Sequence, residues 1–278
     1  MDKRKLLHEA IEWFMATFQV ITNYETANDY AEIALYMLPY TKTEEHFLFA
    51  SKLAIMMGMM DDSFNEQEFV VLLNYLKTSV VNEPSPFVSA IIRVFADFKA
   101  VSIYEENYNN MVKYIVAFIE STKGKKSNDR MDRIIDTCMI PFYITSLDSN
   151  RILADMNNYK LLDSAYGTRI DNDVLTYPKD YISDYMSKHS NPVYAGISMG
   201  DQVDAIKNDF VTQLLYLEPT LEDAIYFQGR NGAFLWSLFT KRYGRILKTV
   251  YEDTQTVGNI RNDINENVVI SAKKHYFL

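Results

Sequence analysis

The chain has few of the residues that break helices. Nine glycines and seven prolines stand among 278 residues, about half of the average share of these two residue types. Its single cysteine, Cys138, excludes an intrachain disulfide and fits a reducing compartment. The four histidines do not fall at the spacing of zinc ligands, so a zinc site has no support. The scarcity of turn-forming residues predicts long helices.

Positive charge and long apolar runs are also lacking. Lys and Arg number 28 against 37 Asp and Glu, a net charge of −9 at pH 7. Such a surface repels phosphodiester backbones and anionic lipid, so we expect no nucleic-acid partner. No apolar run approaches the ~20 residues of a transmembrane helix, and the first residues lack the apolar block of a secretory signal. We therefore expect a soluble, cytoplasmic protein.

Apolar side chains are abundant and periodic. A hydrophobic content of 48% with 14% aromatic residues excludes an intrinsically disordered chain. Apolar residues recur every three or four positions, as in 47–57, 69–76 and 87–98, which is helical periodicity. Proline or clusters of small polar residues interrupt this pattern at 82–86, 122–129, 189–196 and 217–220. Without strand-like alternation or a repeat, the sequence predicts an all-α, single-domain bundle of about ten helices over residues 1–278.

The first cluster of chemically useful residues is acidic. Asp61, Asp62 and Glu66 follow a run of methionines, at the end of an apolar helical segment. Adjacent carboxylates repel one another and are seldom placed beside an apolar stretch without a ligand or full solvation. They suit Mg²⁺, a hard cation that leaves part of its octahedron to waters and substrate phosphates. The alternative interpretation is a helix end that runs into solvent.

The second cluster combines an amide, a hydroxyl and a carboxylate. Asn172, Thr176 and Asp180 stand at i, i+4 and i+8, so on a helix they line one face. Three oxygen donors in a row can chelate one metal ion, although a polar stripe facing solvent is the simpler alternative. Pro178 lies inside this segment, where it removes one backbone hydrogen bond and predicts a kink.

These two clusters, in this order, resemble the metal motifs of class I terpene synthases, the microbial terpene cyclases. The acidic cluster resembles the family's aspartate-rich motif in its Asp-Asp-x-x-x-Glu form. Residues 172–180 resemble its Asn-Asp-x-x-Ser/Thr-x-x-Lys-Asp/Glu motif. The resemblance implies three Mg²⁺ ions, with Mn²⁺ as an alternative metal, that hold the diphosphate of an isoprenoid substrate. The implied ligands are Asp61, Asp62 and Glu66 for two ions and Asn172, Thr176 and Asp180 for the third.

A third segment, residues 230–243, is similar to the family's Trp-x-x-x-Thr-x-Arg-Tyr stretch. Trp236 and Thr240 stand at the matching offsets. The resemblance implies that Arg242 and Tyr243 donate hydrogen bonds to the diphosphate. Lys179 matches a further basic residue that reaches the diphosphate in the family; the alternative is an exposed surface lysine.

Arg133 lies where the family places its pyrophosphate-sensing arginine, ahead of a helix break and a proline, here Pro141. The family usually shows paired arginines there and a glycine at the break. This chain has one arginine close by, and Cys138 stands roughly at the glycine position. Arg130 and Lys126 are alternatives for the sensor.

The resemblance spans roughly residues 45 to 250. It implies that the protein ionises a linear isoprenoid diphosphate, and the family's habits favour farnesyl diphosphate. The resulting allylic cation requires an apolar cavity closed to water, and aromatic faces stabilise a desolvated cation. We predict that Phe142, Phe210, Phe234 and Trp236 line this cavity, and we interpret the methionine run before Asp61 as ordinary core packing.

Two other functions remain open. A prenyl-chain-joining synthase shares the fold and the ions but usually carries a second aspartate-rich motif, which this chain lacks. A non-catalytic helical binding module would have lost its metal ions. The sequence also leaves the oligomeric state open and allows a homodimer.

A segment near the end of the chain has polar residues at the same spacing as the second motif. Asn259, Asp263 and Asn267 also stand at i, i+4 and i+8. The frame that starts at Asn262, however, places Ile270 at a ligand position, and isoleucine cannot bind a metal. We interpret this segment as a solvated terminal helix.

Overall fold

The computed structural model describes residues 1–18, 24–63, 66–80, 84–123, 129–182 and 220–240, without the side chains of 61–63, 66, 122–123, 170, 173–182 and 238–239. The all-α prediction is confirmed, because this part of the chain forms ten helices and no strand. The helices are α1 (Lys3–Thr17), α2 (Tyr24–Met37), α3 (Glu44–Ser63), α4 (Glu66–Thr78), α5 (Pro86–Val101), α6 (Glu105–Lys123), α7 (Arg130–Asp136), α8 (Ile140–Ser149), α9 (Tyr159–Ile182) and α10 (Leu221–Phe239).

Helix ends follow the predicted breaks. Pro86 lies in the first turn of α5, where its missing N–H costs nothing, and the Ser85 hydroxyl accepts the Val88 N–H at 3.2 Å as an N-cap. The breaks at 122–129 and 217–220 precede α7 and α10, and the break at 189–196 lies outside the described residues.

The chain divides into two compact units. One comprises Met1–Ile170 and Pro219–Trp236, and the other comprises Asp171–Glu218 and Ser237–Leu278. Within the first unit, α3 packs against α1, α2, α5 and α8, while α6 packs against α4, α7 and α8. The single-domain assignment of residues 1–278 stays a prediction.

The core of the first unit is built from aromatic and aliphatic side chains. Phe49 of α3 stacks on Phe98 of α5 with ring centroids 4.0 Å apart. Burying each such side chain contributes about 1.5–3 kcal/mol. The interpretation of the methionine run as core packing is confirmed by the burial of Met56, Met57, Met59 and Met60.

A buried carboxylate ties three parts of this unit together. Asp148 of α8 is fully buried, and burial alone would raise its pKa, but its hydrogen bonds outweigh that effect and lower the pKa. On the far side of the buried His46 ring, Thr43 Oγ1 lies 2.6 Å from Nδ1. The carboxylate accepts four hydrogen bonds, from His46 Nε2 at 2.8 Å, the Ile103 N–H at 2.7 Å, the Tyr104 N–H at 3.1 Å and Asn107 Nδ2 at 2.8 Å.

Candidate functional site

The first motif lies at the end of one helix and the start of the next. α3 ends at Ser63 with Asp61 and Asp62 in its last turn, and α4 begins at Glu66. Because the C-terminal end of a helix carries partial negative charge, a carboxylate there costs about 0.3–1 kcal/mol. The placement is therefore unfavourable for the helix alone and favourable for a bound cation. The structure describes the backbone of these three acids but not their side chains.

The second motif lies on one continuous helix. α9 contains Asn172, Thr176 and Asp180 and continues through Pro178 without ending there. The three residues therefore keep the predicted i, i+4, i+8 register on one face. The Asn172 side chain is half-buried, whereas Lys179 and the other two motif residues are described by their backbone only.

The predicted sensor arginine is buried. Arg133 lies in the last turn of α7, and only 6% of its surface is exposed. Burial, followed by repulsion from Arg169, lowers its pKa to about 10, while Asp136 and Tyr166 act in the opposite direction. The guanidinium is still protonated at neutral pH. Arginine side chains are mostly exposed unless they are paired, so the burial of this one is unusual.

Of the two alternative candidates for the sensor, one is exposed and the other lies outside the described residues. Arg130, one turn earlier on α7, forms an exposed ion pair with Asp163, and its guanidinium lies 5.1 Å from the centroid of the Tyr166 ring. Lys126 lies outside the described residues. Of the two described arginines, Arg133 is thus the buried one.

Sequence reasoning missed a second arginine beside Arg133. Arg169 of α9 pairs with Asp136 of α7, with Nη1 and Oδ2 3.0 Å apart and side chains only 16% and 12% exposed. Asp136 follows Arg133 by three residues, close to one helical turn. A signal was present in the sequence, since Arg169 precedes Asn172 by three residues on the same helix, but the partner on α7 depends on how the helices pack.

A second buried arginine begins the third motif. Arg230 of α10 is 5% exposed, and its guanidinium lies directly against the backbone of Gly167 on α9. A methyl group at residue 167 would overlap the guanidinium carbon and nitrogens. Gly167 therefore provides the space that this side chain occupies, two residues from Arg169.

The helix break after Arg133 has the predicted place and an unusual backbone. α7 ends at Asp136, α8 begins at Ile140, and Pro141 lies in its first turn. Cys138 between them adopts a φ of 51°, in the left-handed region that favours glycine. Glycine adopts this conformation most readily, in agreement with the resemblance that places Cys138 roughly at the family's glycine position.

The aromatic residues predicted for the cavity are buried where they are described. Phe142 of α8 belongs to the hydrophobic core, and Phe234 and Trp236 of α10 are 8% and 7% exposed. The indole N–H of Trp236 donates to the Asp29 carbonyl of α2 at 2.6 Å, which fixes the orientation of the ring. Phe210, Arg242, Tyr243 and the segment 259–267 lie outside the described residues.

The described side chains include no group of three His, Cys, Asp or Glu that could hold a metal ion. Most of the predicted ligands lie outside the described side chains, and the metal site stays a prediction. A hollow of about 140 Å³ between α3 and α5 is smaller than typical ligand pockets, and none of the predicted site residues lines it. None of the described helices combines the length and the apolar character that crossing a bilayer requires.

No protein-family model matches the chain, and no curated protein matches its sequence. Solved structures, in contrast, share its fold. A linalool/nerolidol synthase from Streptomyces clavuligerus aligns with a TM-score of 0.62 at 14% identity, over 84% of this chain and 96% of that chain. The same synthase in complex with 2-fluorogeranyl diphosphate gives a TM-score of 0.58 at 15% identity, over 88% of this chain and 94% of that one.

A protein from ancestral sequence reconstruction, SVS_A2, gives a TM-score of 0.63 at 15% identity, over 87% of this chain and 86% of that chain. These likenesses show that the chain has the class I terpene synthase fold, as the motifs predicted.

Proposed function

We propose that the protein is a Mg²⁺-dependent class I terpene synthase, which ionises a linear isoprenoid diphosphate and releases diphosphate together with a terpene. The observation that supports this most strongly is the register of the second motif. In a fold shared with a linalool/nerolidol synthase, α9 keeps Asn172, Thr176 and Asp180 on one helical face.

The chemistry of the proposed ligands suits Mg²⁺. All six ligands present oxygen atoms, which Mg²⁺ prefers, and none is a histidine or cysteine. Asp61 and Asp62 lie at the negative end of the α3 dipole, where a bound cation would offset the unfavourable electrostatics. When bound, Mg²⁺ would act as a Lewis acid on the diphosphate, and Mn²⁺ is the expected substitute.

The protein's own cations would complete the diphosphate site. Arg133, Lys179 and Arg242 would neutralise the charge that develops on the departing diphosphate, and the Tyr243 hydroxyl would donate a hydrogen bond to it. Such contacts accelerate the reaction because they are stronger in the transition state than in the ground state. No protein nucleophile is required, since the leaving group departs before a new bond forms.

The rest of the site would protect and shape the cation. Phe142, Phe210, Phe234 and Trp236 are the proposed aromatic lining, and a desolvated ring face stabilises a cation by about 2 kcal/mol. The likeness to a synthase crystallised with 2-fluorogeranyl diphosphate supports an isoprenoid diphosphate as the substrate class. Within that class we favour the fifteen-carbon farnesyl diphosphate.

Incubation with Mg²⁺ and farnesyl diphosphate tests the proposal. We expect release of inorganic diphosphate and a hydrocarbon or alcohol that gas chromatography detects. Asn172→Ala and Asp61→Ala should abolish both, because each removes a metal ligand. Asn157→Ala removes an exposed asparagine and serves as the matched control.

Lack of turnover of geranyl, farnesyl and geranylgeranyl diphosphates alike would refute the synthase. Reaction only when isopentenyl diphosphate is added would identify a chain-joining synthase instead. Absence of metal-dependent binding of a diphosphate analogue in calorimetry would indicate a binding module.

A further inference from the structure

The connection between α2 and α3 is bound to the C-terminal end of α8 at two points. Asn150, which directly follows α8, donates from Nδ2 to the Tyr40 carbonyl at 2.8 Å. The Lys42 N–H donates to Ser149 Oγ, in the last turn of α8, at 3.2 Å. Thr41 lies between these two points in the sequence and is therefore held beside the end of α8.

Ser146 belongs to the face of α8 that meets this connection. It precedes Ser149 by three positions and Asn150 by four, and side chains at these spacings are neighbours on a helix. The Ser146 carbonyl accepts hydrogen bonds from the Ser149 hydroxyl and from Asn150 Nδ2, both at 2.8 Å. Ser146 and Asn150 thus lie on the α8 side of a polar junction whose other side is Thr41.

Three buried oxygen atoms at this junction form no hydrogen bond within the part of the chain that the structure describes. They are Thr41 Oγ1, Ser146 Oγ and Asn150 Oδ1. Thr41 is 3% exposed and Ser146 is 1% exposed, so bulk water does not reach their hydroxyl groups. A buried polar group without a partner destabilises the folded state, and native proteins contain few of them. Three at one junction therefore indicate a bound molecule that pairs with them.

The donors and acceptors of the three groups select this molecule. Each hydroxyl has one proton to donate, whereas an amide oxygen only accepts. One water molecule matches the set, because it can accept from both hydroxyls and donate to Asn150 Oδ1. Buried waters typically make about three such bonds. A metal cation would bind the oxygen atoms but leave both hydroxyl protons buried without an acceptor.

We propose that the junction is a binding site for one ordered water molecule, held by Thr41 Oγ1, Ser146 Oγ and Asn150 Oδ1. The water ties the connection between α2 and α3 to the end of α8. It adds to the contacts of the Asp148 cluster, which hold the first turn of α3 on α8 through His46. The site lies within the first compact unit and does not depend on the proposed function. The alternative is that the three groups are buried without any partner.

Thermal unfolding of Thr41→Val separates the two cases, because valine keeps the shape of the side chain and removes the hydroxyl. If the hydroxyl binds the water, Tm should fall by about 2–4 °C, the effect of one lost hydrogen bond. If the hydroxyl has no partner, its removal ends the cost of burying it, and Tm should rise. Thr145→Val is the matched control and should also lower Tm, since Thr145 of α8 is fully buried and its hydroxyl donates to the Pro141 carbonyl at 2.8 Å. A Tm of Thr41→Val that is unchanged or higher would overturn the proposal.

A double-mutant cycle with Ser146→Ala tests whether the two hydroxyls share one water. Loss of either hydroxyl disturbs the bonds of the shared molecule, so we expect the fall in Tm of the double variant to be smaller than the sum of the two single falls. Additive falls would contradict a shared water.

A high-resolution crystal structure of the unaltered protein decides the matter even if a variant does not fold. We expect density for a water within hydrogen-bond distance of Thr41 Oγ1, Ser146 Oγ and Asn150 Oδ1. Lack of such density, or density with the shorter ligand distances of a metal ion, would overturn the proposal.

Discussion

The first compact unit contains two buried polar clusters with opposite electrostatic designs. At Asp148, one carboxylate is surrounded by four hydrogen-bond donors. Around Arg133, the guanidinium of Arg169 lowers the pKa of that arginine and the carboxylate of Asp136, which pairs with Arg169, raises it. The first cluster surrounds one buried carboxylate with donors, whereas in the second a buried arginine is repelled by a further arginine.

The difference is the one we expect between a structural role at Asp148 and the proposed diphosphate role at Arg133. A buried charge that is fully hydrogen-bonded by its own chain holds helices together, and any ligand would have to displace those bonds. A buried arginine is costly to desolvate and well suited to bind a multiply charged anion. We therefore expect changes at Asp148 to alter stability and changes at Arg133 to alter diphosphate chemistry.

The largest effect on stability is expected from Asp148→Ala. The change removes an acceptor from the buried side chains of His46 and Asn107 and from two part-buried backbone N–H groups. We expect the free energy of unfolding to fall by about 3–5 kcal/mol, measured by urea denaturation followed by circular dichroism. Asp97→Ala removes an exposed acid and should cost about 0.5 kcal/mol or less. Equal effects of the two changes would contradict the structural role.

A smaller effect on the free energy of unfolding is expected when the pH is lowered. The pKa of Asp148 is lowered in the folded protein, so its stabilising contribution is complete above the unfolded pKa of about 3.9 and is lost as the pH falls through the lower folded value. Asp148→Asn lacks this titration. Its free energy of unfolding should therefore decline less steeply between about pH 5 and about pH 3 than that of the unaltered protein. Parallel declines would show that Asp148 is not the titrating group.

The smallest effect is expected from the exposed ion pair. Arg130→Gln breaks the contact with Asp163, but both side chains are solvated and the pair contributes less than about 1 kcal/mol. Thermal unfolding should place this variant close to the unaltered protein, while Arg169→Gln, which breaks the buried pair, should unfold at a clearly lower temperature. A larger fall in the unfolding temperature for Arg130→Gln than for Arg169→Gln would contradict this ranking of the two ion pairs.

Much of the fold was predictable because it depends on local sequence. Helical periodicity and the breaks near Ser85, Asp129 and Thr220 predicted the helices, and the spacing of Asn172, Thr176 and Asp180 predicted a shared face. Arg133 was predicted only through resemblance.

The remaining features depend on contacts between distant segments. His46 and Asp148 are 102 positions apart, and no local pattern marks them as partners. Arg169 and Arg230 were missed for the same reason, since their surroundings are created by α7, α9 and α10 packing together in the first unit. The left-handed backbone of Cys138 also could not be predicted from its residue type, because glycine is the residue that usually adopts this conformation.

The most direct measurement is the rate of Mg²⁺-dependent diphosphate release from farnesyl diphosphate by the unaltered protein, Arg133→Gln and Arg130→Gln. We expect release by the unaltered protein and by Arg130→Gln at rates within about twofold of each other. Arg133→Gln, with its fold checked by circular dichroism, should be at least about a hundredfold slower, a rise of about 2.7 kcal/mol in the barrier. Equal rates for all three proteins, or no Mg²⁺-dependent release by the unaltered protein, would contradict a diphosphate site built on the buried arginine.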